Sequence, residues 1–370
     1  MIVLSGAHLV LPDRMLTPGT LVVDGDRIVD VRPGTGSGPL AGGHAPPPFA
    51  FHGHYIVPGF IDVHVHGVDG VDSLDGGEAI ALMAVKLPRY GVTAFCPTTV
   101  ACAPDALHRV LEQVRRARET PVARAARVLP AHLESNFLNP EFRGAQPLRC
   151  LRSPRAALGN TWRPVKAGHH GPAEAGHYVP TRDVREEEFA AADLLREIER
   201  AAPDVGIVTL APELDGGIDL IRWLSSRSYH VSLGHSGATY EQGLEAIAAK
   251  HPSRILAITD GTAASGLPTG ARASLGGQPI TAGESAAFLD DGTMAGSVLT
   301  MDRAFQILVG KIGLSLVDAA AVCSTTPARE LGLVGHGIIA ADAIADLAVL
   351  DAQLTVVQTY VGGQLAYSRT

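Results

Sequence analysis

Short apolar runs broken by glycine and proline set the texture of this chain, and their spacing changes twice along it. Over residues 1–57, β-rich pieces alternate with turns: MIVLSGAHLVL, then GTLVVDGDRIVDV, in which Asp24-Gly25 predicts a hairpin turn. A Gly/Pro-rich loop follows through Pro46, Pro47 and Pro48. Near the other end, ADLAVLDAQLTVVQTYVGGQLAY repeats the texture. Neither end holds enough strands to bury a face alone, so residues 1–57 and 328–370 are expected to pair into one small β-sandwich domain.

Between them, over 58–327, the pattern becomes apolar strand, turn, helix. Candidate strands are YIVPGFIDVHVH, GVTAFCPTT, RVLPAHLES, VGIVTLAPE, HVSLGHSG and RILAITDG, while EAIALMAVKLPRY and APDALHRVLEQVRRAR read as helices. Strand alternating with helix implies an α/β fold with a parallel sheet. Each candidate strand ends in a polar, reactive residue: His64 and His66, Thr98, Glu134, Glu213, His235 and Asp260. Barrel enzymes build their sites at the carboxyl ends of strands, whereas an open doubly wound sheet usually brings a Gly-rich phosphate turn after its first strand. No such turn is present, so the expectation is a (β/α)8 TIM-like barrel.

Two stretches depart from the regular pattern. Six candidate strands are counted where a closed barrel needs eight, and only YEQGLEAIAAKHPSR, a single helix, separates His235 from the last of them. The barrel is therefore expected to be incomplete or distorted, with a gap between the strands ending at His235 and Asp260. Exposed edges there would favour association. Residues 148–186, rich in Arg, Gly, Pro and His and without periodicity, read as a loop insertion.

Composition narrows the function. With 46% hydrophobic and 18% charged residues the chain can bury a sizeable core, and a formal charge of -8 without a basic run excludes a general nucleic-acid surface. A small-molecule substrate is expected. Four cysteines without CxxC spacing read as reduced thiols of a cytoplasmic protein. Early charges and a proline argue against a signal peptide, and no apolar run reaches membrane-spanning length.

His64 and His66 lie two apart on a strand, so both imidazoles point one way and can share a metal ion. Each candidate has a plainer reading: a strand-end polar pair for these two, a salt bridge for Glu134, a cap or core residue for His235, a turn for Asp260. In a barrel all five converge on one pocket. A divalent cation there lowers the pKa of its water and polarises a carbonyl, and a free carboxylate can pass the proton to a leaving amine. Together the residues describe a metallo-hydrolase barrel.

With these residues in hand the chain resembles the amidohydrolase superfamily and, within it, the N-acetylglucosamine-6-phosphate deacetylase family. The likeness is carried by PGFIDVHVHG, GVTAFCPTT, AHLESNFLNPEFRGAQP, TLAPE, SLGHSGAT, TDGTAASGLP, DDGTMAGSVLTM, STTPAREL and ADLAVLD. HLE followed by N-P and R-G-A, and DGTMAGS followed by LTM, are the most specific. The resemblance implies hydrolysis of an N-acetyl group, giving glucosamine 6-phosphate and acetate, with one or two divalent ions, zinc or iron, and a homodimer. It makes His64 and His66 ligands of the first metal, Glu134 a metal-binding residue, His235 a ligand of the second metal and Asp260 the catalytic carboxylate. Ala145 with Gln146, and Met294, Ala295 and Gly296, fall where the family contacts the sugar.

The departures are specific. Family members carry a T-H-L-F-N-x-M strand end and a D-G-x-H strand end between the GHS histidine and the catalytic aspartate, and both are absent here. HLESNF stands for the usual HLEGPF, and GAQ for GAH. One metal ligand and most sugar contacts are thereby missing, which implies little or no deacetylase activity unless histidines of the insertion (His169, His170, His177) substitute. Competing readings are a dihydroorotase-like or deaminase-like amidohydrolase, disfavoured because no lysine ends a strand, and a catalytically inactive relative.

Overall fold

In a computed structural model, residues 1–35, 48–159, 189–235 and 255–369 are described. Strands from the two chain ends do pair. Tyr55–Pro58 runs antiparallel to Leu347–Leu350 and parallel to Ile2–Val10, joining the termini in one eight-stranded sheet. Leu4, Leu9, Leu21, Ile28, Ile56, Leu347 and Val349 form its own apolar cluster, which neither end could assemble alone. The predicted hairpin falls one residue later than read: Asp24 still pairs with Arg27, and Gly25, at φ +58°, begins the two-residue turn.

The run YIVPGFIDVHVH is two strands in different sheets. Tyr55–Pro58 belongs to the end sheet and Phe60–Val65 to the parallel sheet, because Pro58 cannot donate to a ladder and Gly59 follows it. Parallel pairing then runs from Phe60–Val65 to Val92–Thr99, Ala131–Glu134, Val205–Leu210 and His230–Leu233. Pro130 interrupts RVLPAHLES in the same way, leaving Arg127–Val128 as a separate short strand. The first three long strands are buried at every position, as their apolar runs require. Helices between them bury one stripe each: Leu107, Val110, Leu111 and Val114 on Pro104–Glu119, and Leu194, Leu195 and Ile198 on Ala191–Arg200.

The expected sixth strand, RILAITDG, is not one. Residues 255–260 have no ladder of their own, yet they lie beside Phe60–Val65 through Asp260 N–H to the His64 carbonyl (3.0 Å) and His66 N–H to the Gly261 carbonyl (2.7 Å). The fully buried Asp62 carboxylate completes the seam, accepting from Thr259 Oγ1 at 2.6 Å and Thr259 N at 3.3 Å. On the other side, His230–Leu233 is poorly covered: Leu233 is 62% exposed, and Ile258 across the interval is 38% exposed. The helix read at 240–254 lies outside the described residues, as does most of the 148–186 insertion. Its described part holds a 3-10 turn, Leu148–Cys150, and a short helix, Pro154–Leu158.

One element was not foreseen. Residues 272–297 form a four-stranded antiparallel sheet, Arg272–Leu275, Gln278–Ala282, Ala286–Leu289 and Met294–Ser297, turned at Gly276-Gly277 with both φ positive. Its last strand bridges Gly261 and so borders the carboxyl ends of the parallel strands. Among the described residues no helix is long and apolar enough to cross a membrane.

Candidate metal centre

The two-residue repeat of the Phe60–Val65 strand continues to His66, and the two imidazoles face each other with Nε2 atoms 3.2 Å apart. Glu134, the last residue of Ala131–Glu134, lies against both: Oε1 is 3.7 Å from His64 Nε2 and Oε2 is 3.4 Å from His66 Nε2. Asp260 Oδ1 lies 3.5 Å and 3.3 Å from the same two nitrogens. His235 approaches from the far side, its Nε2 2.8 Å from Glu134 Oε1. Its Nδ1 is 2.7 Å from the Phe142 carbonyl and must donate there, since a carbonyl only accepts. All five expected residues meet. Both His235 and Asp260 sit at positive φ, +55° and +49°, strain that the surrounding hydrogen bonds hold in place.

The donor set fits a divalent cation. A tetrahedral ion with ligands about 2.0–2.1 Å away separates them by roughly 3.3–3.4 Å. The five distances just given among His64, His66, Glu134 and Asp260 span 3.2–3.7 Å. Nitrogen lone pairs and carboxylate oxygens directed at one another need positive charge between them, from a metal or from protons. With protons alone the strain on the set is plain. Burial opposes charge on His66, but Asp260 and Glu134 overcome it and push the imidazole up to about 10. Burial likewise opposes charge on His235, which Glu134 raises. Burial and the neighbouring His132 drive His64 well below its ordinary value. Glu134, despite burial, is held well below the carboxylate range by His235 and His66.

Several supporting residues escaped the sequence reading. His132 is buried edge-on against His64, ring centres 4.5 Å apart. Its Nδ1 donates to the Val63 carbonyl at 2.7 Å, and its Nε2 accepts from Thr209 Oγ1 at 2.7 Å. Burial lowers its pKa to about 4, and with both ring nitrogens engaged it positions rather than ligates. The clue was available: His132 and Glu134 are alternate polar residues in a buried strand, as are Asp62, His64 and His66. The departure to HLESN has a structural use. Ser135 Oγ donates to the Thr209 carbonyl (2.6 Å), and Asn136 Nδ2 spans the Cys102 and Cys150 carbonyls (2.8 and 2.7 Å), tying the strand end to its neighbours.

Other expected residues fall differently. Thr98 is structural, accepting from Val65 N at 2.9 Å, and Glu213 lies away from the cluster, accepting from Asn139 Nδ2 at 3.1 Å. Met294 is 63% exposed, whereas the Ala295 side chain is sealed in an apolar cluster with Val100 and Ile280. Gly296 backs onto the site. A Cβ there would lie 2.7 Å from Thr262 Cγ2 and 3.1 Å from the Asp260 carbonyl, at a φ of +76° that favours glycine. Ala145 is half-buried and accepts from Gln278 Nε2 through its carbonyl at 3.0 Å. Gln146 is buried, donating to Glu134 Oε2 and accepting from Ala101 N at 2.7 Å. His169, His170 and His177 lie outside the described residues.

A parallel sheet with this cluster at the carboxyl ends of its strands is the arrangement of a metal-dependent hydrolase, and the chain belongs to the amidohydrolase family, whose profile matches residues 55–254. Within that family it groups with the N-acetylglucosamine-6-phosphate deacetylases. It is 30% identical over 378 residues to the Danio rerio enzyme of that name, covering 85% of each chain. To the Homo sapiens enzyme it is 29% identical over 435 residues, covering 99% of this chain and 94% of that one. The fold is shared with the solved Mycobacterium smegmatis deacetylase in complex with N-acetyl-D-glucosamine-6-phosphate, at TM-score 0.76 and 24% identity over 99% of both chains.

Proposed function

We propose that this chain hydrolyses the N-acetyl group of N-acetylglucosamine 6-phosphate, releasing glucosamine 6-phosphate and acetate. The observation that carries the reading is the meeting of His64, His66, Glu134 and Asp260 within 3.2–3.7 Å, in a chain whose relatives bear that activity in their names. His64, His66 and Glu134 would hold the first cation, and His235, across Glu134, offers a place for a second. Zinc or iron suits these nitrogen and carboxylate donors. When bound, such an ion acidifies water and polarises an amide carbonyl.

Asp260 is the proton carrier. Half-buried at the edge of the cluster, its carboxylate is open to a substrate, can accept a proton from the attacking water and can deliver it to the departing amine. His132 keeps His64 facing inward. The loop 143–146 and Met294 close the mouth beside His235: a Cβ on Gly144 would lie 4.0 Å from His235 Cε1 and 3.8 Å from the Met294 carbonyl. Through their backbones these segments would line the sugar subsite.

The five parallel strands with segment 255–261 form, in this reading, a (β/α) barrel lacking two units, accompanied by a small β-sandwich domain built from both chain ends. The poorly covered Leu233 and Ile258 on either side of the interval support it. The same observation favours a second reading, a chain with little or no turnover, because the absent strand ends carry sugar contacts in the family. A homodimer in the cytoplasm is the working assembly. Incubating purified, zinc-supplemented protein with N-acetylglucosamine 6-phosphate decides between the two readings. Turnover on the order of 1 per second or more establishes the deacetylase, and its absence in zinc-loaded protein establishes the inactive relative.

A further inference from the structure

Gln146 stands where the family resemblance places a sugar contact, yet both ends of its side chain are already committed within the protein. Its amide oxygen accepts from Ala101 N at 2.7 Å, just beyond the strand Val92–Thr99. Its amide nitrogen donates to Glu134 Oε2. The orientation is unambiguous, because a backbone N–H can meet only the oxygen and a carboxylate only the NH2. The residue is 5% exposed, and its own N–H closes a turn onto the Arg143 carbonyl at 3.0 Å. Little of it remains to meet a ligand.

The four neighbours of the Glu134 carboxylate divide evenly. Oε1 faces His235 at 2.8 Å and His64 at 3.7 Å, while Oε2 faces His66 at 3.4 Å and the Gln146 amide. Three of these are imidazoles that a cation would occupy. Gln146 alone is a neutral donor, whose bond to the carboxylate requires neither a proton nor a cation between the two groups. The terminal torsion of a glutamate is broad and nearly two-fold, so a carboxylate without such an anchor rotates freely. Anchored through Gln146 to the end of a buried strand, it does not.

We propose that Gln146 is a positioning residue for Glu134, setting how tightly the chain holds its cation rather than how it grips the sugar. The inference rests on the metallo-hydrolase reading above and deepens it. It also reassigns a position at which the sequence pattern implied substrate contact.

The test is Gln146→Met, which keeps the volume and removes both polar groups, with Gln146→Ala as the second variant. Folding is checked by circular dichroism and by thermal unfolding of the metal-free proteins. Zinc affinity is measured by competition with a chromophoric chelator, and glucosamine 6-phosphate affinity by calorimetry on zinc-saturated protein. Loss of an outer hydrogen bond of this kind typically weakens metal binding on the order of 10–100-fold. That loss is expected in whichever variant folds, with sugar-phosphate affinity changed by less than about twofold. Unchanged zinc affinity, with or without weaker sugar binding, overturns the proposal. Wild-type protein that takes up no zinc, iron or manganese overturns the metallo-hydrolase reading itself, a result distinct from any difference between wild type and variant.

Discussion

Replacing Thr259 with valine tests how Asp260 is held. The segment 255–261 has no continuous strand ladder, so the position of Asp260 depends on isolated backbone bonds, to the His64 carbonyl and from Ser297 N, and on a few side-chain bonds. Thr259 Oγ1 donates to Asp62 Oδ2 at 2.6 Å and accepts from Gly261 N at 3.0 Å, and all of this is buried. Valine keeps the shape and removes both bonds. A hydrogen bond to a charged group contributes about 1.5–3 kcal/mol, and an orphaned buried N–H costs about 1–3 kcal/mol. Allowing for partial relaxation, the variant should lose roughly 3–5 kcal/mol. That is measured as a shift in the urea midpoint at constant slope, on metal-free protein at pH 8. The Asp260 carboxylate should shift with its backbone, and a misplacement near 1 Å costs up to about 100-fold in rate. Turnover should therefore fall by about 10–100-fold with little change in KM. A loss below about 1 kcal/mol would show that the seam is held by something else. Full stability loss with undiminished turnover would show that Asp260 is placed independently of it.

Asp260→Asn should keep the fold, because asparagine tolerates the φ of +49°, and should retain zinc while losing about 100- to 10,000-fold in turnover. Zinc affinity should fall as pH is lowered. Asp260 and Glu134 raise His66 to about 10 despite its burial, and Glu134 raises His235, so a cation must displace protons that bind more firmly as pH drops. Calorimetry in buffers of different ionisation enthalpy should register proton release, and a pH-independent affinity between 6 and 9 would contradict the ion-pair description. Asp346 links the end sheet to the parallel sheet, accepting from Arg127 Nε and Nη2 (3.2 and 3.1 Å), His336 Nδ1 (2.9 Å) and Gly362 N (2.7 Å). Although burial opposes ionisation, these donors lower its pKa below the ordinary 3.8. The linkage sign follows: its contribution is present above the unfolded value and is lost as pH falls through the lower folded one. Asp346→Asn should cost about 2–3 kcal/mol at pH 7, less than a fully buried pair because Arg127 is partly exposed, and should flatten the acid limb of the stability curve.

Much of the site is legible in the sequence. HxH on a strand, an HLE ending a second strand, GHS after a third and TDG ending the apolar run of residues 255–258 name the five side chains that meet. A strand's two-residue repeat and the barrel habit of gathering strand ends need no tertiary information. His132 was hidden because a buried histidine in an apolar strand looks the same whether it bonds a metal or a carbonyl. The resemblance places Gln146 at the sugar, and its bonds to Glu134 and Ala101 are not legible in sequence because a loop residue's partners depend on where the loop closes.

The amino-acid sequence by itself determined which residues are apolar, which alternate along strands and which chemistry-bearing groups end them. Those are local properties of period and residue type. Only the tertiary structure decided that Tyr55–Pro58 pairs with Leu347–Leu350 and Phe60–Val65 with Val92–Thr99, that 255–261 is held by isolated backbone bonds with Asp62 and Thr259 instead of a ladder, and that the Gln146 amide turns to Glu134. Each depends on partners from a dozen to some hundreds of residues away. Hydrogen bonds between such groups are settled by which donors and acceptors the packed core leaves without water.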